Sequence, residues 1–199
     1  MKRQFLAVVG VLLAAAPSFA DDWGYYSIVP VSAPKLVLEA VDSGTTDGTV
    51  VSIGQPTVQA NQKWVVQPKG DGLFVIKPSY SSTLVLAIDK GGEHNGTLAV
   101  LETDAGKPWQ LWALNPQDNG SYTLVPKHAS NHGLDHFGGK KKPGARIDLC
   151  VNKPGDQHLH WYIRPLAGSP IPAAVAEAGP GYVPPVLKPE DILPGEIKQ

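Results

Sequence analysis

The chain has 199 residues, 42% of them hydrophobic and 18% charged, with a formal net charge of −1. That balance excludes wholesale disorder and gives no bulk attraction to nucleic acid. The single cysteine, Cys150, excludes an internal disulfide framework and a multi-cysteine zinc site.

Residues 1–20 have the pattern of a secretory signal peptide. Lys2 and Arg3 open it, an apolar stretch runs from Phe5 to Ala16, and Ser18-Phe19-Ala20 puts small residues where a signal peptidase cuts. The apolar run is about 12 residues, short of the roughly 20 that span a bilayer. The expected product begins at Asp21 and is secreted or periplasmic, with no membrane span.

From Trp23 onward three units follow one another. Tyr26, Phe74 and Tyr122 recur every 48 residues, each followed by an aliphatic at +2 (Ile28, Ile76, Leu124) and by proline at +4 (Pro30, Pro78, Pro126). Leu38, Leu86 and Leu134 keep the period. So do Gly48, Gly96 and Gly144, then Val51, Ala99 and Ile147, then Ile53, Leu101 and Leu149. Trp64, Trp112 and Trp161 close the units at spacings of 48 and 49, which puts one extra residue in the third unit between Leu149 and Trp161. Fixed-period self-similarity marks a repeat architecture. Within each unit apolar residues alternate, as in Tyr26/Ile28, Leu36/Leu38, Val51/Ile53 and Trp64/Val66. That predicts half-buried antiparallel strands, four per unit and about twelve in all. The proline ends the first strand of its unit without interrupting it, and the glycine before the third strand suits a turn with positive φ. A lone four-stranded unit has no way to bury its edges and its apolar face. Three can, by closing around a pseudo-threefold axis. Two sequons, Asn95-Gly96-Thr97 and Asn119-Gly120-Ser121, read first as tight Asn-Gly turns.

The fourth strands are preceded by Gln62-Lys63 before Trp64, Gln110-Leu111 before Trp112 and Leu159-His160 before Trp161. Repeated on a constant period, this resembles the QxW signature of ricin B-type lectins, and Leu38-Glu39-Ala40 with Thr46-Asp47-Gly48-Thr49 resembles that family's second turn. The resemblance covers residues 23–166 and implies an all-β β-trefoil with repeats at about 23–70, 71–118 and 119–166. Gln62, Trp64, Gln110, Trp112 and Trp161 then have structural roles: tryptophan fills the base of a unit and the glutamine amide satisfies backbone groups.

The resemblance also implies one shallow galactose-type site per unit. An acid follows the second-strand leucine, a polar residue and an aromatic platform lie on or after the third strand, and asparagine precedes the glutamine. In the first unit Glu39, Ser52 and Asn61 match, while Gly54 replaces the platform. In the second, Ala87, Glu102 and Trp109 stand at the acid, platform and asparagine places. In the third, Asp135 and Asp148 take the acidic and polar places, Cys150 replaces the platform, and His158 reaches the asparagine place if the insertion precedes it. Glu39 and Asp135 are expected at the surface, with Phe137 or Tyr80 as substitute platforms.

Five of the six histidines (His128, His132, His136, His158, His160) fall in the third unit. They match no zinc spacing and read as exposed loop residues, with His158 and His160 on one strand face; the alternative is a metal ion bracketed by His132 and His136 with Asp135. No metal or cofactor is expected. Lys140-Lys141-Lys142 reads as a solvated turn or, with Lys127 and Arg146, as a clamp for an anionic glycan. Cys150 reads as an inert thiol near a strand end. No G-x-S-x-G, P-loop or H-E-x-x-H is present, so the chain is not expected to be an enzyme. Residues 167–199, with seven prolines, read as a disordered tail able to act as spacer or to dock a partner protein. The expected function is secreted, non-catalytic carbohydrate binding, with glycans as partners and weak sites in the first and third units. The alternative is a trefoil scaffold that has lost sugar binding and serves as a protein-interaction or inhibitor module.

Overall fold

The computed structural model describes residues 24–166 apart from Val58 and Pro154. The leader at 1–20 and the tail at 167–199 lie outside the described residues. Of the first unit, β1 (Tyr26–Pro30), β2 (Val37–Ala40), β3 (Thr49–Gly54) and β4 (Trp64–Gly70) are the four strands. The second contributes β5 (Leu73–Pro78), β6 (Leu84–Ile88), β7 (Ala99–Thr103) and β8 (Trp112–Pro116). The third contributes β9 (Tyr122–Pro126), β10 (His132–Asp135), β11 (Ala145–Arg146), β12 (Asp148–Val151) and β13 (His160–Pro165). The count exceeds twelve because the third strand of the last unit splits at Ile147. No helix of the described residues is long and apolar enough to cross a membrane.

The first and fourth strands of each unit close a six-stranded barrel in the order β1-β13-β9-β8-β5-β4. Closure joins the ends of the described chain: Tyr26 pairs with Pro165 and Pro30 with Trp161. The second and third strands form hairpins (β2–β3, β6–β7, β10–β12) that cap one end. Three units close on one barrel, as the repeat predicts, in the β-trefoil arrangement that the family resemblance implies.

The recurring residues carry out one set of jobs three times. The Tyr26/Phe74/Tyr122 and Leu38/Leu86/Leu134 sets belong to one buried core, together with the three tryptophans. Each indole N–H donates across the unit to a second-strand carbonyl: Trp64 to Leu38 at 3.0 Å, Trp112 to Leu86 at 2.9 Å and Trp161 to Leu134 at 2.8 Å. A buried indole thus fills volume without leaving its one donor unpaired. The recurring glycines tie the caps into a ring. Gly48, Gly96 and Gly144 have φ of +83°, +84° and +79°. Their N–H groups donate to Leu101, Leu149 and Ile53 of the next unit, each at 2.8 Å. A residue with a Cβ is disfavoured at that φ. The Asn-Gly turns are explained locally. Asn95 Oδ1 accepts from the Val151 N–H at 2.8 Å, and Asn119 Oδ1 from the Ser121 N–H at 3.1 Å and its hydroxyl at 2.6 Å.

Candidate functional site

In each unit, one patch at the foot of the hairpin cap collects the acid, polar, platform and asparagine positions. The pleat puts the second-strand acid opposite the polar residue of the third strand, as Glu39 opposite Ser52 and Asp135 opposite Asp148. The short 3-10 turn before the fourth strand (Ala60–Gln62, Pro108–Gln110, Gln157–Leu159) brings the asparagine place to the same patch.

In the first unit Glu39 is half-buried and held at both oxygens. Ser52 Oγ donates to Oε1 at 3.2 Å and Gln62 Nε2 to Oε2 at 2.9 Å. Gln62 is itself fixed: its Nε2 also donates to Gln55 O at 2.7 Å, and its Oε1 accepts from the Thr57 N–H at 2.6 Å. Asn61 donates to Ala40 O at 3.0 Å, which leaves its second N–H and its carbonyl oxygen. The glycine at the platform place has a physical reason, because a Cβ on Gly54 would occupy the space of the Glu39 carboxyl group. Ser52 is 2% exposed, so its part is to orient Glu39.

The second unit fills its own patch. Glu102, from the platform place, accepts from Trp109 Nε1 at 2.8 Å, Gln110 Nε2 at 3.2 Å and the Lys90 N–H at 3.2 Å. The carboxylate has moved from the second strand to the third, and Ala87 supplies the room that Gly54 supplies in the first unit. The Trp109 ring covers Gly91, where a Cβ would meet it at 2.7 Å.

The third unit differs most from expectation. Asp135 is not at the surface: it is 1% exposed, and Asp148 beside it 3%. Asp135 accepts from His158 Nδ1 at 2.9 Å and from the Gly138 N–H at 3.0 Å. One oxygen of Asp148 has no partner among the described residues. Burial, then the neighbouring Asp135, push the Asp148 carboxyl up to about 7, against weaker help from the Phe137 N–H, Arg146 and His158. The connection before the last 3-10 turn is 152–156, one residue longer than 104–107. The insertion therefore precedes His158, which occupies the asparagine place. His158 lies in the 3-10 turn and His160 opens β13, so they do not share a strand face. Leu159, fully buried, replaces the glutamine amide with an aliphatic group.

None of the five histidines read as exposed loop residues is exposed: His132 at 8% and His136 at 0% are buried, and His128, His158 and His160 are half-buried. The pseudo-threefold explains His136. Tyr80 OH donates to Gly44 O at 2.7 Å and His128 Nε2 to Gly92 O at 3.1 Å, each reaching from one unit into the loop of the unit before. The equivalent residue in the remaining join is Ser32, which is too short. His136 fills the gap: its Nδ1 donates to Lys140 O at 3.0 Å and its Nε2 accepts from Ser32 Oγ at 2.6 Å. Burial holds its pKa below the ordinary value, more strongly than Asp135 raises it. Serine at 32, where Tyr80 and His128 stand in the other units, was the sequence signal for this relay.

Neither substitute platform is a bare ring. Tyr80 packs against the core, and Phe137 carries Lys140 Nζ 4.2 Å and Arg146 Cζ 5.3 Å from its centroid. Cys150 is half-exposed on β12, and burial raises its pKa, which disfavours thiolate. Beside His158 an open depression of about 360 Å³ is lined by Ser32, Gly139, Lys141, Asp156 and Gln157 among others. Asp156 and Gln157 were missed because the insertion hides their register. Among the described residues no group of ligating side chains is placed to hold a metal ion.

The sequence matches the family described as ricin-type beta-trefoil lectin domain-like over residues 18–102 and 60–150. No curated protein matches it. Among solved structures it is similar to the designed threefold-symmetric protein ThreeFoil, with a TM-score of 0.68 and 24% identity over 72% of this chain and 99% of that one. The Rhizoctonia solani agglutinin aligns with a TM-score of 0.64 and 18% identity over 76% and 100%. The Macrolepiota procera ricin B-like lectin, solved with lactose, aligns with a TM-score of 0.60 and 21% identity over 73% and 98%. The same fold covers 31% of a Clostridium thermocellum exo-beta-1,3-galactanase chain, with a TM-score of 0.67 and 19% identity over 73% of this chain.

Proposed function

The chain belongs to the ricin-type β-trefoil lectin domain-like family, and from that membership we propose a non-catalytic carbohydrate-binding protein, exported from the cell on the strength of the leader pattern at residues 1–20. One observation carries the reading: the Glu39 carboxylate is half-buried yet pinned by two side-chain donors. A sugar offers vicinal hydroxyls and needs acceptors held in place before it arrives. Each Glu39 oxygen accepts one hydrogen bond from Ser52 or Gln62 and keeps lone-pair capacity for one hydroxyl. Asn61, anchored on Ala40, supplies a further donor and acceptor.

Glu39 and Asn61 are the contact residues of the first unit. Ser52 and Gln62 act through Glu39. In the third unit Asp135 orients His158, and His158 with Asp156 and Gln157 faces the ligand. The second unit, plugged by Glu102 and Trp109, binds no sugar. The lactose complex of the Macrolepiota procera lectin supports a glycan as the ligand class. A shallow cap lacks the deep cleft in which a glycosidase faces two carboxylates across a bond.

The test is a multivalent glycan surface, since two shallow sites reinforce each other there. Glu39→Ala removes a charge-assisted contact of roughly 1.5–3 kcal/mol, about 10- to 150-fold in affinity. A wild-type protein silent on a broad glycan array would overturn the reading. The scaffold alternative, a protein-interaction or inhibitor module, would take its place. It draws on one feature, the lack of a bare aromatic ring at Gly54, Glu102 and Cys150.

A further inference from the structure

The scaffold repeats three times, so a property present in one unit alone stands out against the other two. The cap loop between the second and third strands occupies residues 40–50, 88–98 and 136–146. In the first unit it carries Asp42 and Asp47 and no cation. In the second it carries Asp89, Glu93 and Lys90. In the third it carries Lys140, Lys141, Lys142 and Arg146 and no acid. The loop charge therefore passes from −2 and −1 to +4 on one fold.

These four cations are exposed, and among the described residues none makes a salt bridge. Other lysines do: Lys69 and Lys77 both reach Asp104, at 3.8 and 3.4 Å. Two of the four are nonetheless positioned, because Lys140 and Arg146 rest on the Phe137 ring. The equivalent acids and amides of the first two units are spent on the cap. Asp47 Oδ1 accepts from the Thr103 N–H at 2.7 Å and Asn95 Oδ1 from the Val151 N–H at 2.8 Å. Pro143 takes that place in the third unit and has no side-chain acceptor to tie to the cap, so the loop's four charged side chains are left for a ligand.

The loop borders the 360 Å³ depression through Gly139 and Lys141. The acid of the depression, Asp156, lies 3.7 Å from His158 Nε2, and the two neighbouring acids, Asp135 and Asp148, are buried. The surface that meets a ligand is cationic, with a hydroxyl-binding hollow at its edge. The geometry points to an acidic glycan as the ligand of the third unit: a polymer carrying carboxylate or sulfate groups that lays its charge on Lys140, Lys141, Lys142 and Arg146 and one sugar ring in the hollow. This assignment rests on the carbohydrate-binding reading and names its ligand class. Duplex nucleic acid fits less well, because the patch is one loop on a chain of net charge −1 and has no uncovered aromatic ring for bases.

The experiment uses the full chain against immobilised polygalacturonate, fully methyl-esterified polygalacturonate, dextran sulfate, dextran and a neutral galactose-bearing polymer, at low and physiological salt. Wild type is expected on polygalacturonate, dextran sulfate or both, with binding that weakens as salt rises. Whichever arm responds identifies the acidic group. Neutralising three cations together, as Lys140→Gln/Lys141→Gln/Lys142→Gln, is expected to weaken that binding by about 10-fold or more. Lys141→Gln/Lys142→Gln, which keeps Lys140 on Phe137, should show a partial loss, and three Lys→Arg changes should restore binding. The inference is overturned if the triple variant holds acidic polymer as tightly as wild type, if the methyl ester binds as well as the acid, or if a duplex DNA control binds equally. Neutral polymer bound while both acidic polymers are ignored also overturns it, and leaves the carbohydrate-binding reading standing. A chain that binds no polymer at all brings down both.

Discussion

Asp148→Asn isolates the cost of burying two carboxyl groups on facing strands. Asp148 lies opposite Asp135 in the β10–β12 hairpin, is 3% exposed, and keeps one oxygen without a partner among the described residues. Its pKa rises from 3.8 to about 7 on folding. The sign follows from proton counting. Between these values the folded chain holds a proton that the unfolded chain has released, so the contribution of Asp148 to stability is most favourable below about pH 4 and is lost as pH rises through 7. A rise of that size corresponds to about 4 kcal/mol at most, of which roughly 2–3 kcal/mol is lost between pH 5 and 8. Other groups titrate in that range. His136 and His160 have pKa values lowered chiefly by burial, so they destabilise the fold as pH falls and bend the wild-type profile the other way. The difference between wild type and variant removes them. Asparagine keeps the shape and the acceptor for the Phe137 N–H, with no charge to bury. Urea unfolding followed by tryptophan fluorescence at pH 5, 6, 7 and 8 gives the difference directly. Asp148→Asn should gain on wild type by roughly 2–3 kcal/mol across that range. A difference independent of pH to within about 1 kcal/mol would refute the reasoning, since an ionised Asp148 would then be as well solvated folded as unfolded.

Trp64→Ala, Trp112→Ala and Trp161→Ala should each cost about 3–5 kcal/mol in urea melts, because all three fill equivalent volumes and hold equivalent second-strand carbonyls; a neutral Trp112→Ala would contradict a closed three-unit core. Gly96→Ala should destabilise by about 1 kcal/mol or more although only Asp148 Oδ2, at 3.9 Å, comes near the added methyl, the cost lying in the +84° φ; an unchanged melting curve would count against it. Mass spectrometry of exported protein should give a chain starting at Asp21, and an intact Met1 end would contradict the leader.

The 48-residue period made the fold legible, because equivalent residues meet equivalent surroundings in a closed core. Tyr26, Leu38, Val51, Ile53 and Trp64 and their repeats are all buried, and alternation alone assigns each to its face. How exposed the second face is does not follow from alternation: on β1 and β9 the outward residues Ser27, Val29, Thr123 and Val125 are buried as well, so these strands are covered on both faces and not half-buried. The count of strands erred only where Ile147 interrupts a hairpin edge.

The candidate site was less legible, and the reason is that side chains compensate across space. Glu39 with Gly54, and Ala87 with Glu102, are two solutions to one volume, in which a carboxylate faces a glutamine amide from either strand. Read position by position, Gly54 and Glu102 look like losses of a platform. Read as pairs, each preserves the carboxylate–amide contact. Asp135 departs further, because Leu159 offers no amide and His158 takes over as donor. That swap puts an imidazole in place of a neutral amide beside two buried carboxyl groups, and it leaves the outer surface of the third unit to lysines. The buried His136 has the same origin, a short Ser32 in a join where its counterparts span the gap unaided. Each departure from the repeat is thus answered by a second departure nearby, and the pairs become visible only when strand register sets residues face to face. In a threefold scaffold these paired exceptions mark where the units have separated in chemistry: the first keeps an oriented acceptor, the second has closed on itself, and the third has turned its acids inward and its cations out.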